Sequence, residues 1–218
     1  MSKRTESLDE LQIDALREIG NVGASYACGA LTNLVKKEVL IDVTDCYLEP
    51  MDKHLARFGQ PKDIVATVCI DVATEKGSRV LMILPMGIAT MMSDLMMGSR
   101  NPPGRMITEE DKEVLTEMGD ICIREYLNPI SKFLKISPMP TAPVVHVQYV
   151  GASAAKANSI LGLNAPYEIR IMTNYVDRAK VYHGTIMFLP DEATQDLTFK
   201  KFGVDTESQS AMFAKFGV

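Results

Sequence analysis

Residues 13–37 read IDALREIGNVGASYACGALTNLVKK, and this stretch decides the fold because a later part of the chain repeats its pattern. Residues 109–135 read EEDKEVLTEMGDICIREYLNPISKFLK, in which Glu117 lies 99 positions after Glu18. The same offset places apolar residues of one stretch on apolar residues of the other. Both stretches have the spacing of a helix that buries one side. The chain is therefore predicted to consist of two copies of one unit.

Strand-like and helical stretches follow each of these long helices in the same order. The first half continues with residues 38–43, 63–72, 78–85 and 86–98, and the second with residues 142–150, 167–176, 180–190 and 191–203. Tight turns are predicted at Glu75-Lys76-Gly77 and at Asp177-Arg178, and strands joined by tight turns run antiparallel. We therefore predict an α+β fold. Two pseudo-two-fold-related repeats, each a helix, three strands and a short helix, share a mainly antiparallel sheet with the long helices packed on it.

A segment rich in proline and glycine separates the two halves. Pro102, Pro103 and Gly104, within residues 98–105, cannot continue a helix. We predict a single domain over residues 1–218, with repeats at about 8–98 and 106–203 and a short C-terminal tail at 204–218. Duplication of this kind also arises for purely structural reasons, so it predicts no activity by itself.

Composition and charge argue against several classes of function. The net charge is −5 and the pI is near 5.3, which is the wrong sign for a general nucleic-acid-binding protein. The four cysteines form no CxxC pair, which argues against a metal site and favours reduced thiols. The most apolar stretch, residues 80–92, is shorter than the roughly 20 residues that a membrane-spanning helix needs. Because residues 1–10 are polar and carry no secretory signal, we expect a cytoplasmic protein without membrane insertion.

Three polar residues of the first long helix project from one side of it. Asp14, Glu18 and Asn21 stand at i, i+4 and i+7, and at about 100° per residue they fall within an arc of roughly 60°. The neighbouring apolar residues are expected to form a stripe that is buried against the sheet: Leu8, Leu11, Ala15, Ile19 and Val22. The polar residues then lie at the edge of that stripe and face outward.

An acid and an amide on such a rigid face suit the hydrolysis of an acyl phosphate. The carboxylate leaving group makes an acyl phosphate reactive, so its hydrolysis mainly needs a positioned water and stabilisation of developing charge. Asn21 can accept a hydrogen bond from water while it donates one to a phosphoryl oxygen, and Glu18 can pair with an ammonium group on a partner. The alternative is an ordinary solvated helix face, which is the commoner meaning of this spacing alone.

Gly20 and Gly23 argue against an ordinary helix surface, because each glycine costs about 1 kcal/mol relative to alanine inside a helix. Close packing against the long helix of the other half, which carries Gly119, is the structural explanation. Close approach of a partner protein is the functional explanation.

The text EIGNVGAS at residues 18–25, with Asp14 four positions before Glu18, resembles the CheC/CheX/FliY family of chemotaxis phosphatases, and within it the CheC type. The family pattern is Asp or Ser, three residues, Glu, two residues, Asn, and then a Pro that in this numbering would stand 23 positions after the Asn. The resemblance covers about residues 8–203, including both predicted repeats.

The resemblance implies a phosphatase that hydrolyses the aspartyl phosphate of the response regulator CheY. Glu18 would contact the active-site lysine of the regulator, and Asn21 would orient the attacking water. The Mg²⁺ of this reaction belongs to the regulator, so the chain is expected to need no cofactor or metal of its own. CheC-type proteins also bind the receptor deamidase CheD, which is therefore a second expected partner.

Each half departs from the family pattern in a different place. In the first half Thr44 stands where the pattern has Pro, a change that is expected to affect the start of the strand more than the chemistry. In the second half Pro143 is present, but Asp120 replaces Asn and Glu113 replaces the leading Asp or Ser. Asp120 cannot donate to a phosphoryl oxygen, and it repels an anion. The second site, Glu117 with Asp120, is therefore expected to be weak or silent.

The main alternative is a binding protein, namely a catalytically weak CheC-like adaptor that docks a response regulator or CheD. A third alternative is a FliY-like component of the flagellar switch, but we expect no appended switch domain within 218 residues. Asn21 favours the enzyme, whereas Asp120 favours the adaptor.

Overall fold

The architecture comes from a computed structural model of the chain, which describes residues 8–47, 58–73, 77–150, 169–177, 183–205 and 207–208. The first half contains helix α1 (Glu10–Val35), strands β1 (Val39–Tyr47), β2 (Ile64–Ala73) and β3 (Ser78–Pro85), and helix α2 (Met86–Met97). The second half contains helix α3 (Glu109–Leu134), strands β4 (Met139–Pro140), β5 (Val144–Tyr149), β6 (Arg170–Asp177) and β7 (His183–Leu189), and helix α4 (Glu192–Phe202). This combination of helices and strands confirms the predicted α+β class.

The strands form one sheet in the order β1-β6-β7-β3-β2-β4, and β5 also pairs with β2. Every strand pair among the described residues is antiparallel, which confirms the predicted mainly antiparallel sheet. Strand β1 of the first half pairs with β6 of the second, and β5 of the second half pairs with β2 of the first. The two halves therefore interlock. That they are copies of one unit remains a prediction.

The long helices α1 and α3 have matched limits. Each has 26 residues and begins after a capping residue, Asp9 or Thr108, whose side chain accepts a hydrogen bond from the backbone N–H three residues later. Each is followed by a lysine in the left-handed region, Lys36 or Lys135. The two caps, like the two lysines, are 99 positions apart, which is the offset noted in the sequence.

Glycines let the long helices approach their neighbours closely. A Cβ atom at Gly20 would collide with Ile171 of β6, and Gly119 approaches β2 in the same way. A Cβ atom at Gly23 would lie 2.9 Å from ring atoms of Tyr126 on α3. The prediction that these glycines pack against the other long helix is therefore right for Gly23. It is wrong for Gly20, which faces the sheet.

The main apolar core lies between the sheet and the long helices. Its buried members include Leu16, Ile19, Leu31, Ala66, Val68, Ile70, Met82, Leu84, Leu115, Met118, Ile123, Tyr126, Ile171 and Phe188. The rings of Tyr126 and Phe188 pack edge to face, with their centroids 5.8 Å apart. Among the helices that the structure describes, none is long and apolar enough to cross a membrane.

The predicted linker between the halves, residues 98–105, is held at its end by ion pairs. Arg105 donates from Nη2 to Asp94 of α2 and to Asp111 of α3, at 2.7 Å each. Ser93 donates a further hydrogen bond of 2.7 Å to Asp111, whose side chain is fully buried. The hydrogen bonds from Arg105 hold the pKa of Asp111 well below its usual range. The linker therefore joins the two halves through a charged network.

Several predictions lie partly outside the described residues, among them the strands predicted at 167–176 and 180–190, which are described only from residues 169 and 183. Of the turn predicted at Glu75-Lys76-Gly77 only Gly77 is described, and of the turn at Asp177-Arg178 only Asp177 is described. The tail predicted at 204–218 is described only at residues 204–205 and 207–208.

Candidate functional site

The three polar residues predicted on α1 lie on its outer surface. Asp14, Glu18 and Asn21 are exposed, whereas Ala15 and Ile19 beside them are buried in the core. We call the three exposed residues the α1 ridge. Residues three and four apart on a helix are neighbours, so Glu18 and Asn21 can contact one ligand together. The helix thus presents an acid and an amide side by side to solvent.

Leu11 is exposed on the same side of α1 as Glu18, which contradicts the predicted apolar stripe. Leu11 is 56% exposed and Val22 is only half-buried, whereas the buried side of α1 includes Leu16 and Gly23. Around the helix axis Leu11 points within about 20° of Glu18 and about 140° away from Leu16. The prediction placed Leu11 on the wrong side because the sheet covers a face further round the helix.

Arg17 ties the α1 ridge to the edge of the sheet. It donates to Asp14 from Nη1 at 3.2 Å, and to Asp45 of β1 from Nε and Nη2 at 2.9 and 2.7 Å. Burial alone would raise the pKa of Asp45, but hydrogen bonds from Arg17 and from the Cys46 backbone outweigh it and lower that pKa. Neither partner was predicted. The i, i+3 spacing of Asp14 and Arg17 was a visible signal, whereas no local pattern marks Asp45.

Thr44, which stands where the family pattern has Pro, lies within β1 and packs beneath α1. It pairs with Thr173 of β6, and the two hydroxyl oxygens are 2.9 Å apart. Its Cγ2 would lie 3.1 Å from a Cβ atom at Gly20. The change was expected to affect the start of the strand, but Thr44 is the sixth residue of β1 and contacts β6 and α1. Pro143, by contrast, directly precedes Val144, the first residue of β5.

The corresponding residues of α3 also reach its outer surface. Glu113 and Glu117 are exposed and Asp120 is half-buried, and we call these three the α3 ridge. Arg124, one turn further on, donates from Nε to both carboxylate oxygens of Asp120 at 2.8 Å each, and this contact raises the pKa of Arg124. Arg124 was not predicted, although its i, i+4 spacing from Asp120 is a recognisable ion-pair pattern. The α3 ridge thus carries an engaged carboxylate where the α1 ridge carries an amide.

The cysteines offer no second reactive group. Cys28, Cys46, Cys69 and Cys122 are free thiols. Burial raises the pKa of Cys69 to about 11 and that of each of the other three to about 12. Thiols with such pKa values are protonated at neutral pH and are poor nucleophiles. Within the described part of the chain, no group of three or more His, Cys, Asp or Glu side chains could hold a metal ion.

A curated protein of known function is similar to this chain over almost its whole length. The CheY-P phosphatase CheC of Bacillus subtilis (strain 168) is 22% identical over 200 residues, which cover 90% of this chain and 96% of that protein. No protein-family model matches the chain.

Solved structures with a similar fold come from the same group of chemotaxis proteins. FliY of Thermotoga maritima has a TM-score of 0.70 at 15% identity, and the match covers 89% of this chain and 97% of that one. A chain of the FliG–FliM complex from H. pylori has a TM-score of 0.62 at 14% identity, covering 87% and 100%. CheX from Desulfovibrio desulfuricans has a TM-score of 0.52 at 10% identity, covering 78% and 97%. These likenesses show the fold, and together with the curated relative they confirm the resemblance found in the sequence.

Proposed function

Since the chain is a CheC homologue with a CheC/CheX/FliY-type chemotaxis fold, we propose that it hydrolyses the aspartyl phosphate of a CheY-type response regulator at the α1 ridge. The observation that supports this most directly is the exposure of Glu18 and Asn21 side by side on one face of α1. The curated homologue is a CheY-P phosphatase. An acid and an amide so placed suit that class of substrate.

Asn21 positions the attacking water. Its carboxamide oxygen accepts a hydrogen bond from the water while its NH₂ group donates to a phosphoryl oxygen, which a carboxylate cannot do. The water oxygen bonds to phosphorus as the bond from phosphorus to the aspartate oxygen breaks. The products are the free aspartate of the regulator and inorganic phosphate, and the protons of the water leave with the phosphate or pass to solvent. The contribution of Asn21 is therefore orientation and charge stabilisation.

Glu18 fixes the docking geometry. Its exposed carboxylate can pair with a lysine ammonium group of the regulator in a charge-assisted hydrogen bond. Three residues of helix rise by about 4.5 Å, so an ammonium held by Glu18 lies close to a phosphoryl group held by Asn21. The Mg²⁺ bound by the regulator would neutralise charge on the phosphoryl group, and this chain supplies only side chains.

The partners are expected among the chemotaxis proteins. The homologue CheC acts on CheY-P, and a chain with a similar fold is found in a FliG–FliM complex. CheD, as a second partner, rests on the sequence resemblance alone.

A catalytically weak adaptor is the second candidate. Arg124 engages Asp120, so the α3 ridge is poorly suited to hydrolysis. The structural likeness to a chain of the FliG–FliM complex also favours binding. An adaptor would dock the regulator or CheD and tune signalling by occupancy.

The rate at which a CheY-type regulator, phosphorylated with acetyl phosphate, loses its phosphoryl group distinguishes the two candidates. The wild type, Glu18→Ala and Asn21→Ala are added in turn. Asn33→Ala is the matched control, because Asn33 is also an exposed asparagine of α1 but lies about 18 Å from Asn21 along the axis. Acceleration that persists in Asn33→Ala and disappears in Asn21→Ala supports the phosphatase. Binding without acceleration would make the chain an adaptor. If the chain neither binds the regulator nor accelerates its decay, both candidates are contradicted.

A further inference from the structure

Leu11 is a large apolar side chain exposed to solvent beside the proposed catalytic pair. It is 56% exposed, and it points within about 20° of Glu18 around the axis of α1. A single exposed leucine is ordinary on a protein surface, so exposure alone assigns it no role. Its alignment with Glu18, rather than with Asn21, which points about 80° away from it, is the observation that gives the exposure a meaning.

We infer that Leu11 is the apolar contact that seats the phosphorylated regulator on the α1 ridge, and that it determines which ridge the regulator binds. This inference rests on the proposed function and adds a recognition residue to it. Leu11 lies about 10 Å from Glu18 and about 15 Å from Asn21 along the helix, too far to take part in the chemistry. Both distances fit within one side of an ordinary protein interface, which covers about 800 Å².

The partner surface follows from these distances. The occupant is the receiver domain of the regulator, and it must present an apolar patch about 10 Å from the lysine that Glu18 contacts and about 15 Å from its phosphorylated aspartate. In most interfaces a few anchors of this kind supply most of the affinity, while polar neighbours exclude water around them. Asp14 lies between Leu11 and Glu18 and is paired with Arg17 at 3.2 Å. Burial of Leu11 therefore leaves the carboxylate of Asp14 with its partner.

The α3 ridge has no such apolar contact. Because the caps of α1 and α3 are 99 positions apart, Glu110 holds on α3 the place that Leu11 holds on α1. Glu110 is exposed and charged. A carboxylate is hydrated strongly, whereas a leucine gains free energy by leaving water. The two ridges thus differ at the docking end as well as at Asn21 and Asp120.

Leu11→Glu tests this inference by giving α1 the residue that α3 has. Tyr26→Glu is the matched control, because Tyr26 is 52% exposed on the same helix but points about 80° away from Glu18, whereas Leu11 points within about 20° of it. Initial rates are measured against the concentration of the acetyl-phosphate-labelled regulator. We expect Leu11→Glu to raise KM about tenfold or more with kcat within about twofold, and Tyr26→Glu to leave both unchanged. An unchanged KM in Leu11→Glu, or a fall in kcat alone, overturns the inference.

A binding assay distinguishes failure of this inference from failure of the proposed function. If the wild type does not accelerate decay, its affinity is measured for the regulator carrying beryllofluoride, a stable mimic of the acyl phosphate. Binding that is weakened about tenfold by Leu11→Glu but not by Tyr26→Glu supports the role of Leu11 even though the phosphatase has failed. Equal affinities of wild type and Leu11→Glu overturn it. Circular dichroism and thermal melting establish that both variants are folded.

Exchanging the residues at positions 11 and 110 tests whether binding of the regulator can be gained at the α3 ridge. Adding Glu110→Leu to a chain that carries Leu11→Glu and Asp120→Asn moves the apolar contact to an α3 ridge without the repelling carboxylate. There we expect it to restore affinity for the beryllofluoride-treated regulator by about tenfold. If Glu110→Leu leaves the affinity of that chain unchanged, the apolar side chain does not select the ridge.

Discussion

Arg124 Nε lies 2.8 Å from each carboxylate oxygen of Asp120, one turn away on α3. At the equivalent positions of α1, 99 residues earlier, stand Ser25 and Asn21, which cannot form an ion pair. The pair on α3 keeps a charged carboxylate where the proposed chemistry needs an amide. The two ridges are therefore chemically unequal, although their helices match in length.

Asp120→Asn in an Asn21→Ala background is expected to restore part of the lost activity. The new amide can donate to a phosphoryl oxygen, and loss of one such donor typically lowers kcat about 10²–10³-fold. At saturating concentrations of the regulator, where the missing apolar contact on α3 no longer limits binding, we expect the double variant to release phosphate at least about tenfold faster than Asn21→Ala alone. Arg124→Met in the same background is the control, since it breaks the ion pair but keeps the carboxylate and should give no gain. If Asp120→Asn gives no gain either, its charge does not silence the α3 ridge.

Arg17→Met is expected to lower activity more clearly than stability. The pairs of Arg17 with Asp14 and Asp45 are partly exposed, so their loss should lower the free energy of unfolding by about 0.5–1 kcal/mol. Because the α1 ridge loses its tie to β1, we expect kcat to fall about tenfold through poorer positioning. Urea unfolding and steady-state rates measure the two effects. Lys112→Met, which removes an exposed pair with Glu109 on α3, should change neither quantity. An unchanged kcat in Arg17→Met would mean that the tie to β1 does not position the ridge.

Asp111→Ala is expected to destabilise the fold strongly, by about 3 kcal/mol. The side chain of Asp111 is fully buried, and its removal takes away the carboxylate on α3 that pairs with Arg105. Urea unfolding gives the loss from the shift in midpoint. In a double-mutant cycle, Arg105→Met should cost much less in the Asp111→Ala background than in the wild type. If the losses in unfolding free energy from the two single substitutions simply add in the double variant, Arg105 and Asp111 are not coupled.

The contribution of Asp111 to stability should also depend on pH. Its pKa is lowered in the folded chain, chiefly by Arg105, whereas an unfolded Asp has a pKa of about 3.9. A lowered pKa means that the stabilisation is fully present above the unfolded value and is lost as the pH falls toward the folded value. The gap in unfolding free energy between wild type and Asp111→Asn should therefore be constant near neutrality and narrow below about pH 4. A gap that is the same at pH 3 and pH 7 would exclude this linkage.

The long helices could be predicted from sequence because their signals are local. The helical period predicts helices over residues 13–37 and 109–135, within about three residues of the observed limits of α1 and α3, and the caps Asp9 and Thr108 are further local signals. The pairing of Thr44 with Thr173 could not be predicted, because it depends on strands from different halves. Local patterns give the elements of this fold but not the way in which they interlock.

The candidate site, like the fold, could be predicted where its signals are local and could not where they depend on contacts between elements. Exposure of Glu18 and Asn21 follows from helical spacing once one side of α1 is buried. The side that the sheet covers is a tertiary property, so Leu11 was placed wrongly. Asp45 binds Arg17 from another element, so no local sequence pattern indicates that ion pair. The ion pair of Arg124 with Asp120, by contrast, has an i, i+4 spacing that is visible in the sequence.

The interlocked halves constrain how the chain is made. Thr44 of β1 is bonded to Thr173 of β6, which is 129 positions later. At about 5–20 residues per second, a ribosome needs roughly ten seconds to add the intervening chain. Until then β1 lacks β6 and β3 lacks β7, and such unpaired strand edges invite association with other chains. A nascent first half is therefore expected to be a client of chaperones until the last strands emerge.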